Sequence, residues 1–242
     1  LSLKERDDVL RFVINRTNGR VPIVAGMGSN NTADLVEQLH SFNLDGVVAI
    51  LSVVPYYNKP SQEGIYRHFM AVADASPVPV IIYNVPGRTG LNMTAATTLR
   101  LAHATPKIVA IKEACGNVEQ MQAILDGRPE DFLVLSGDDG ITVELVKRGG
   151  DGVISVAANA FPERFCGCVH NAMKGNIALA ESEIAELTPA IDLLFKEGNP
   201  TGVKAMTAAM GITRSEVRLP LVEGTENLVA DIKSAIARYE LK

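Results

Sequence analysis

Residues 46–85 read GVVAILSVVPYYNKPSQEGIYRHFMAVADASPVPVIIYNV and contain one complete strand–helix–strand unit. Two runs rich in Val and Ile, 47–53 and 78–85, are continuously apolar, as strands buried on both faces of a sheet are. The segment between them, 63–75, is amphipathic and long enough for a crossover helix. This order predicts two parallel strands joined by a helix, which is the repeating unit of α/β proteins.

The same alternation continues on both sides of this unit. The sequence predicts further strands at 22–27, 108–114, 132–138 and 152–157, and further helices at 31–43, 94–104, 117–126 and 141–148. A capping box formed by Ser2 and Glu5 predicts that the chain opens on a helix. Six parallel strands fit either an open doubly wound sheet or most of an eight-stranded barrel, and both bind ligands at the carboxyl ends of the strands.

The strand pattern stops after residue 159. Helices are predicted from there on, at 162–174, 177–195, 202–210 and 226–239. We therefore expect a parallel βα portion over 1–160 and an all-helical C-terminal region over 161–242 that packs on it as one structural unit.

Composition narrows the classes of partner. The 242 residues include 23 basic and 28 acidic side chains, a formal charge of −5, with no block of Lys and Arg, which argues against nucleic acid and anionic membranes. The longest apolar stretch, 46–55, is too short to span a bilayer. The opening residues, LSLKERDD, are charged where a signal peptide is apolar, so we expect a cytoplasmic protein that acts on small molecules.

Reactive side chains follow two of the predicted strands. Lys112 comes after the apolar run 108–111, and a desolvated lysine amine is a nucleophile for carbonyl carbons. The alternative is a lysine that extends to water or pairs with Glu113. Tyr83 ends another strand and could transfer protons, while Arg88 on a Pro/Gly turn could bind a carboxylate. Here the alternative is a packed tyrosine and a solvated arginine.

Metal and nucleotide sites are weakly supported. Asp138 and Asp139 lack a third ligand, which favours a turn in which one of them caps a helix. Three cysteines and four histidines fit neither a disulfide framework nor a metal cluster, so we expect no metal. The stretch GMGSNN (26–31) lacks the third glycine of a dinucleotide loop and predicts a strand-to-helix turn capped by Asn30 or Asn31, with a nucleotide binder as the alternative.

Four motifs in order give the chain a recognisable pattern: PYYNKPSQEG (55–64), YNVPGRTG (83–90), IKEACGN (111–117) and LSGDD (135–139). They resemble the dihydrodipicolinate synthase family of pyruvate-dependent class I aldolases and lyases. The resemblance implies a TIM-type (β/α)8 barrel and a helical C-terminal region. It also implies condensation of pyruvate with aspartate semialdehyde in lysine and diaminopimelate biosynthesis, with no metal or organic cofactor.

The resemblance assigns roles at the reaction centre. Lys112 would form an imine with pyruvate, and Tyr83 would pass protons to and from it. Arg88 would bind the carboxylate of the semialdehyde. Tyr57 matches a tyrosine that reaches into the active site of a second subunit, which implies a homodimer or homotetramer.

The resemblance also assigns binding residues. The backbone near Gly137 and Ile154 would line the pyruvate pocket. Asn30, Asp34 and Tyr56 match part of a site where lysine inhibits many members.

One difference from the family concerns the first strand–helix–strand, which carries a Gly-Thr-Thr-Gly-Glu turn and has no counterpart here. We therefore expect a barrel that lacks these elements in this chain. The alternatives are a related pyruvate-dependent aldolase or lyase of the same family, and a truncated form with impaired catalysis.

Overall fold

The computed structural model describes residues 1–239 of the chain. It contains two compact units, Leu1–Leu135 and Ser136–Lys242. Within the described residues, no helix is both long and apolar enough to cross a bilayer.

The first unit alternates helices and strands in the predicted order. Its elements are α1 (Leu3–Thr17), β1 (Val24–Gly26), α2 (Thr32–Ser41), β2 (Ala49–Val53), α3 (Gln62–Ala75), β3 (Val80–Asn84), α4 (Pro86–Thr89), α5 (Ala95–Ala104), β4 (Ile108–Glu113), α6 (Val118–Gly127) and β5 (Leu133–Ser136), whose last residue belongs to the second unit. The short helix α4 was predicted only as a turn. Pro86 opens it and Gly90, at φ 72°, ends it after one turn.

The strands of the first unit are neighbours in sequence order, and β1 to β4 pair in parallel, which confirms the predicted βα arrangement for these strands. Ala49, Ile81 and Ala110 form a small apolar cluster on one face of β2, β3 and β4. Ile50 and Ile111, at alternate positions, are fully buried on the opposite face. Burial on both faces explains why these strands are apolar without alternation.

Two predicted helix starts are confirmed. The Ser2 hydroxyl accepts a hydrogen bond from the Glu5 backbone N–H, and the Ser2 N–H donates to the Glu5 carboxylate. Asn31 caps α2 by accepting a hydrogen bond from the Ala33 N–H at 3.1 Å. The residues between β1 and α2 therefore form a strand-to-helix turn, as predicted.

The second unit is mainly helical after one short strand. Its elements are α7 (Thr142–Lys147), β6 (Gly152–Val153), α8 (Pro162–Met173), α9 (Ile177–Phe195), α10 (Thr201–Ala209) and α11 (Glu226–Tyr239). Phe165, Leu187, Leu194, Met206 and Ile232 are almost fully buried in one apolar core. Helices are present near each of the four predicted ranges after residue 159, and these side chains pack them together.

Two predictions in this unit are wrong. The strand expected over 152–157 stops at Val153, and a 3-10 turn occupies Ala157–Asn159. Neither Asp138 nor Asp139 caps α7, whose N-cap residue is Ile141 and which has no side-chain cap. The Asp139 carboxylate instead accepts hydrogen bonds from backbone N–H groups at the start of the 3-10 turn, which draws it away from α7.

Candidate active site

Lys112 and Tyr83 lie opposite each other at the carboxyl ends of β4 and β3. The parallel register pairs their Cα atoms, so their side chains leave the sheet on the same face. Lys112 is 9% exposed, and its Nζ lies 4.2 Å from the centroid of the Tyr83 ring. The structure therefore brings together the amine and the phenol that the sequence predicted from separate strand ends.

The environment of Tyr83 keeps its phenol protonated. Burial raises the pKa of Tyr83 above its ordinary value, and the nearby Arg88 guanidinium offsets part of this rise. Arg88 itself lies on the exposed turn α4, which follows β3 directly. A neutral phenol next to an amine can donate a proton to a reacting carbonyl and take one back.

The sequence suggested Glu113 only as a possible ion-pair partner of Lys112. It follows Lys112 on β4, so its side chain points to the opposite face, where it is fully buried. Its carboxylate accepts hydrogen bonds from the side chains of Asn84 and Gln120 and from the Cys115 N–H. Strand alternation together with the Tyr83–Lys112 pairing is the signal that could have found it.

Tyr57 lies on the surface of the first unit, in the loop after β2. Its side chain is 87% exposed, and its backbone has a φ of 72°, which is costly for a residue other than glycine. The Tyr57 N–H donates to the Thr89 carbonyl, and the Asn58 side chain donates to the Asn30 carbonyl. These bonds hold the loop in a conformation that leaves the Tyr57 ring in solvent.

The residues predicted for a lysine site are partly brought together. The Asn30 side chain donates to the Tyr56 carbonyl at 3.1 Å. Asp34 lies in the first turn of α2, next to the Asn31 cap, with its side chain exposed. Asn30 and Tyr56 are therefore neighbours, while Asp34 stands at the start of the adjoining helix.

Gly137 and Ile154 lie in the second unit. The Ile154 N–H donates to the Ser136 carbonyl at 3.0 Å, so the chain after β6 runs beside the end of β5. Ser136 also closes the tight turn around Gly137, since its hydroxyl bonds to both the carbonyl and the N–H of Asp138. Gly137 and Ile154 thus belong to adjacent backbone segments of this unit.

The other reactive side chain near the strand ends, Cys115, stays in its unreactive thiol form. Burial raises the pKa of the Cys115 thiol to about 12, so it stays protonated. Among residues 1–239, no three His, Cys, Asp or Glu side chains are grouped to hold a metal ion.

An amine and a phenol side by side at the ends of parallel strands are typical of enzymes that form covalent imines with carbonyl substrates. The sequence model of the Dihydrodipicolinate synthetase family matches residues 1–238. The chain belongs to this family.

Individual relatives agree with this assignment. The 4-hydroxy-tetrahydrodipicolinate synthase of Parabacteroides distasonis is 50% identical over the whole chain, which spans 82% of its length. The dihydrodipicolinate synthase from Acinetobacter baumannii, in a crystal structure complexed with pyruvate, is 37% identical to this chain, with a TM-score of 0.95. The match covers the whole of this chain and 83% of the A. baumannii chain. A monomeric dihydrodipicolinate synthase variant is 33% identical, with a TM-score of 0.97. That match covers the whole of this chain and 82% of the variant's chain. These structures fit an α/β barrel.

Proposed function

We propose that this chain is a 4-hydroxy-tetrahydrodipicolinate synthase that condenses pyruvate with aspartate semialdehyde through an imine on Lys112. The observation that carries the proposal is the buried Lys112 amine 4.2 Å from the Tyr83 ring, in a chain half identical to a synthase of that name. The A. baumannii relative complexed with pyruvate supports the first substrate.

The reaction begins when the Lys112 amine attacks the C2 carbonyl carbon of pyruvate. The resulting carbinolamine loses water to give the imine. Loss of a proton from C3 then gives an enamine, whose C3 forms a new carbon–carbon bond to the aldehyde carbon of the semialdehyde. The amino group of the semialdehyde attacks C2 and displaces Lys112. This closes the ring, keeps the hydroxyl and frees the enzyme.

Tyr83 and Arg88 have separate tasks in this scheme. Tyr83 donates the proton that helps water leave from C2, and it accepts a proton when the ring closes. Arg88 has a planar guanidinium on an exposed turn, which suits two parallel hydrogen bonds to the carboxylate of the semialdehyde. The backbone at Gly137 and Ile154 would hold the carboxylate of pyruvate.

The exposure of Tyr57 supports an oligomeric assembly for the proposed enzyme. A tyrosine that is 87% exposed in a pinned loop at φ 72° is positioned to enter a second subunit, so we propose a homodimer or homotetramer. Light scattering checks this prediction: a particle of at least twice the chain mass is expected, and an active monomer contradicts it.

Asn30, Asp34 and Tyr56 form the proposed inhibitory site for lysine. The hydrogen bond between Asn30 and Tyr56 supports it by fixing two of the three residues together. Inhibition of turnover by added lysine, lost in Asp34→Ala, is the expected result. Turnover that is insensitive to lysine contradicts the site.

We also propose that a further strand completes the barrel beside β1. Ile23 bonds to Val48, just before β2, and Met27 bonds to Leu51 of β2, so by alternation Val24 and Gly26 direct their N–H groups to the outer edge. A groove of about 330 Å³ lies there, and the apolar residues lining it include Leu1, Val9, Leu10, Val13, Ile23, Val24 and Phe42. Slow amide hydrogen exchange at Val24 and Gly26 is expected if a strand covers this edge; rapid exchange at both contradicts it.

Variants of the two proposed catalytic residues test the function. Lys112→Ala should abolish consumption of pyruvate and semialdehyde, and Tyr83→Phe should lower turnover by about 100-fold or more. Tyr66→Phe is a matched control, because that tyrosine packs against Arg100 on the helices rather than at the strand ends. Equal activity in Lys112→Ala and the unchanged chain would refute the function.

A further inference from the structure

Directly behind the Lys112–Tyr83 pair lies a buried polar cluster made of Asn84, Glu113 and Gln120, which we name the Glu113 clamp. Asn84 follows Tyr83 on β3, and Glu113 follows Lys112 on β4, so the clamp occupies the next pair of the same ladder. Because side chains alternate along a strand, the clamp and the reactive pair share a backbone but face opposite sides of the sheet.

The hydrogen bonds of the clamp join two strands and a helix. The Asn84 side-chain N–H2 lies 2.9 and 3.0 Å from the two Glu113 carboxylate oxygens. Gln120 on α6 donates to the same carboxylate at 3.1 Å, and the Cys115 N–H donates at 2.8 Å. A fully buried carboxylate with four donor contacts is a costly group to place here, and the raised pKa of Glu113 reflects that burial.

The pairing of β3 with β4 needs side-chain bonds at its carboxyl end to fix its register. Its register shifts between Val80 and Ile81, so the pairing at the amino ends does not fix the pairing at the carboxyl ends. A slip by one residue would turn Lys112 to the other face of the sheet. The bonds between Asn84 and Glu113 hold the register in which Lys112 is opposite Tyr83.

The clamp also reaches the segment that carries Arg88. The Asn84 side chain accepts a hydrogen bond from the Met93 N–H at 3.0 Å, and the Gln120 side chain donates to the Met93 carbonyl at 3.0 Å. Met93 is fully buried and ends the stretch that begins with α4. Both ends of the Arg88 segment are therefore tied to the clamp.

We propose that the Glu113 clamp is a positioning device that sets the register of β3 and β4 and so places the Lys112 amine for attack. The proposal rests on the imine chemistry proposed above and adds residues that touch no substrate. Glu113→Gln replaces one carboxylate oxygen by an amide N–H2, which then faces the donors of Asn84 and Gln120. The reactive side chains are left unchanged. Because Glu113→Gln also removes a buried negative charge, the variant Gln120→Met, which keeps that charge, is tested beside it.

The test measures how fast borohydride with saturating pyruvate labels Lys112. We expect Glu113→Gln to lower the labelling rate by about 100-fold, the size of effect caused by a misplacement near 1 Å. The double variant Asn84→Asp with Glu113→Gln restores a carboxylate facing an amide and should recover most of the rate. Gln120→Met removes one of the four donor contacts to the Glu113 carboxylate and the bond to the Met93 carbonyl, should fold and should show a smaller loss.

A stability control separates positioning from general damage. Leu35→Ala opens a cavity under α2, away from the clamp, and should lower the melting temperature while keeping the labelling rate of the folded chain. The clamp proposal fails if the unchanged chain is labelled and both Glu113→Gln and Gln120→Met are labelled at the same rate. It also fails if Leu35→Ala loses as much rate as they do. No labelling of Lys112 in the unchanged chain overturns the proposed function, and the clamp proposal with it.

Discussion

His68 makes the stability of the protein sensitive to acid. Its side chain is 4% exposed on α3, with Nδ1 2.9 Å from the Thr32 hydroxyl and the ring edge-on to Phe69. Within residues 1–239, the Nε2 atom has no hydrogen-bond partner. Burial without a partner for the charged form lowers the pKa of His68 from 6.5 to about 4.

The sign and size of the effect follow from this difference. Below pH 6.5 the unfolded chain binds a proton at His68 that the folded chain does not bind until about pH 4. The free energy of unfolding that His68 contributes is therefore present above pH 6.5 and lost as the pH falls toward 4. At about 1.4 kcal/mol per pKa unit, the loss is about 3 kcal/mol.

Urea unfolding at a series of pH values measures this contribution. His68→Asn keeps a polar group near Thr32 but does not titrate, so the difference between the unchanged chain and this variant should shrink by about 3 kcal/mol between pH 7 and 4. His40→Asn, at an exposed histidine on α2, is the matched control for replacing a histidine by asparagine. A flat difference for His68→Asn would refute the reasoning.

Two further substitutions test the backbone and the subunit contact. A Cβ at Gly28 would lie 2.8 Å from the Val53 side chain and 3.2 Å from its backbone N, so Gly28→Ala should lower the free energy of unfolding by about 1–3 kcal/mol. A Cβ at Gly26 would meet open space, so Gly26→Ala is the control and should lower the free energy of unfolding far less. Equal losses for the two variants in urea unfolding would contradict this reasoning. Tyr57→Phe should lower turnover by about 100-fold while Lys112 is still labelled by pyruvate and borohydride, and unchanged turnover would contradict its role.

The strands and helices were largely predictable because both strand faces are buried. Runs such as 78–85 are apolar throughout for that reason, and no helix-forming pattern competes with them. Lys112 and Tyr83 were predictable because a polar side chain ending such a run must face the ligand edge of a parallel sheet. The distance of 4.2 Å between the Lys112 Nζ and the Tyr83 ring was not predictable, because it depends on the register of β3 and β4, which sequence spacing does not give.

The errors arose where distant segments decide the local structure. Aspartate is a common helix N-cap residue, but the Asp139 carboxylate accepts hydrogen bonds from backbone N–H groups 17 and 18 residues later in the chain. Asn84 and Glu113 are 29 residues apart, and only the pairing of β3 with β4 makes them partners. Tyr57 at φ 72° likewise depends on the bond of its N–H to Thr89, which no local pattern indicates.

The most direct test of the proposed reaction is the mass of Lys112 after reduction. Incubation with pyruvate and borohydride, followed by proteolysis and mass spectrometry, should add the mass of pyruvic acid less one oxygen atom to the peptide that contains Lys112. Lys107, near the start of the same strand and bonded to the Asp74 carbonyl, is the internal control and should remain unmodified. An unmodified Lys112 under conditions that fully label a known imine-forming enzyme would contradict the proposed function.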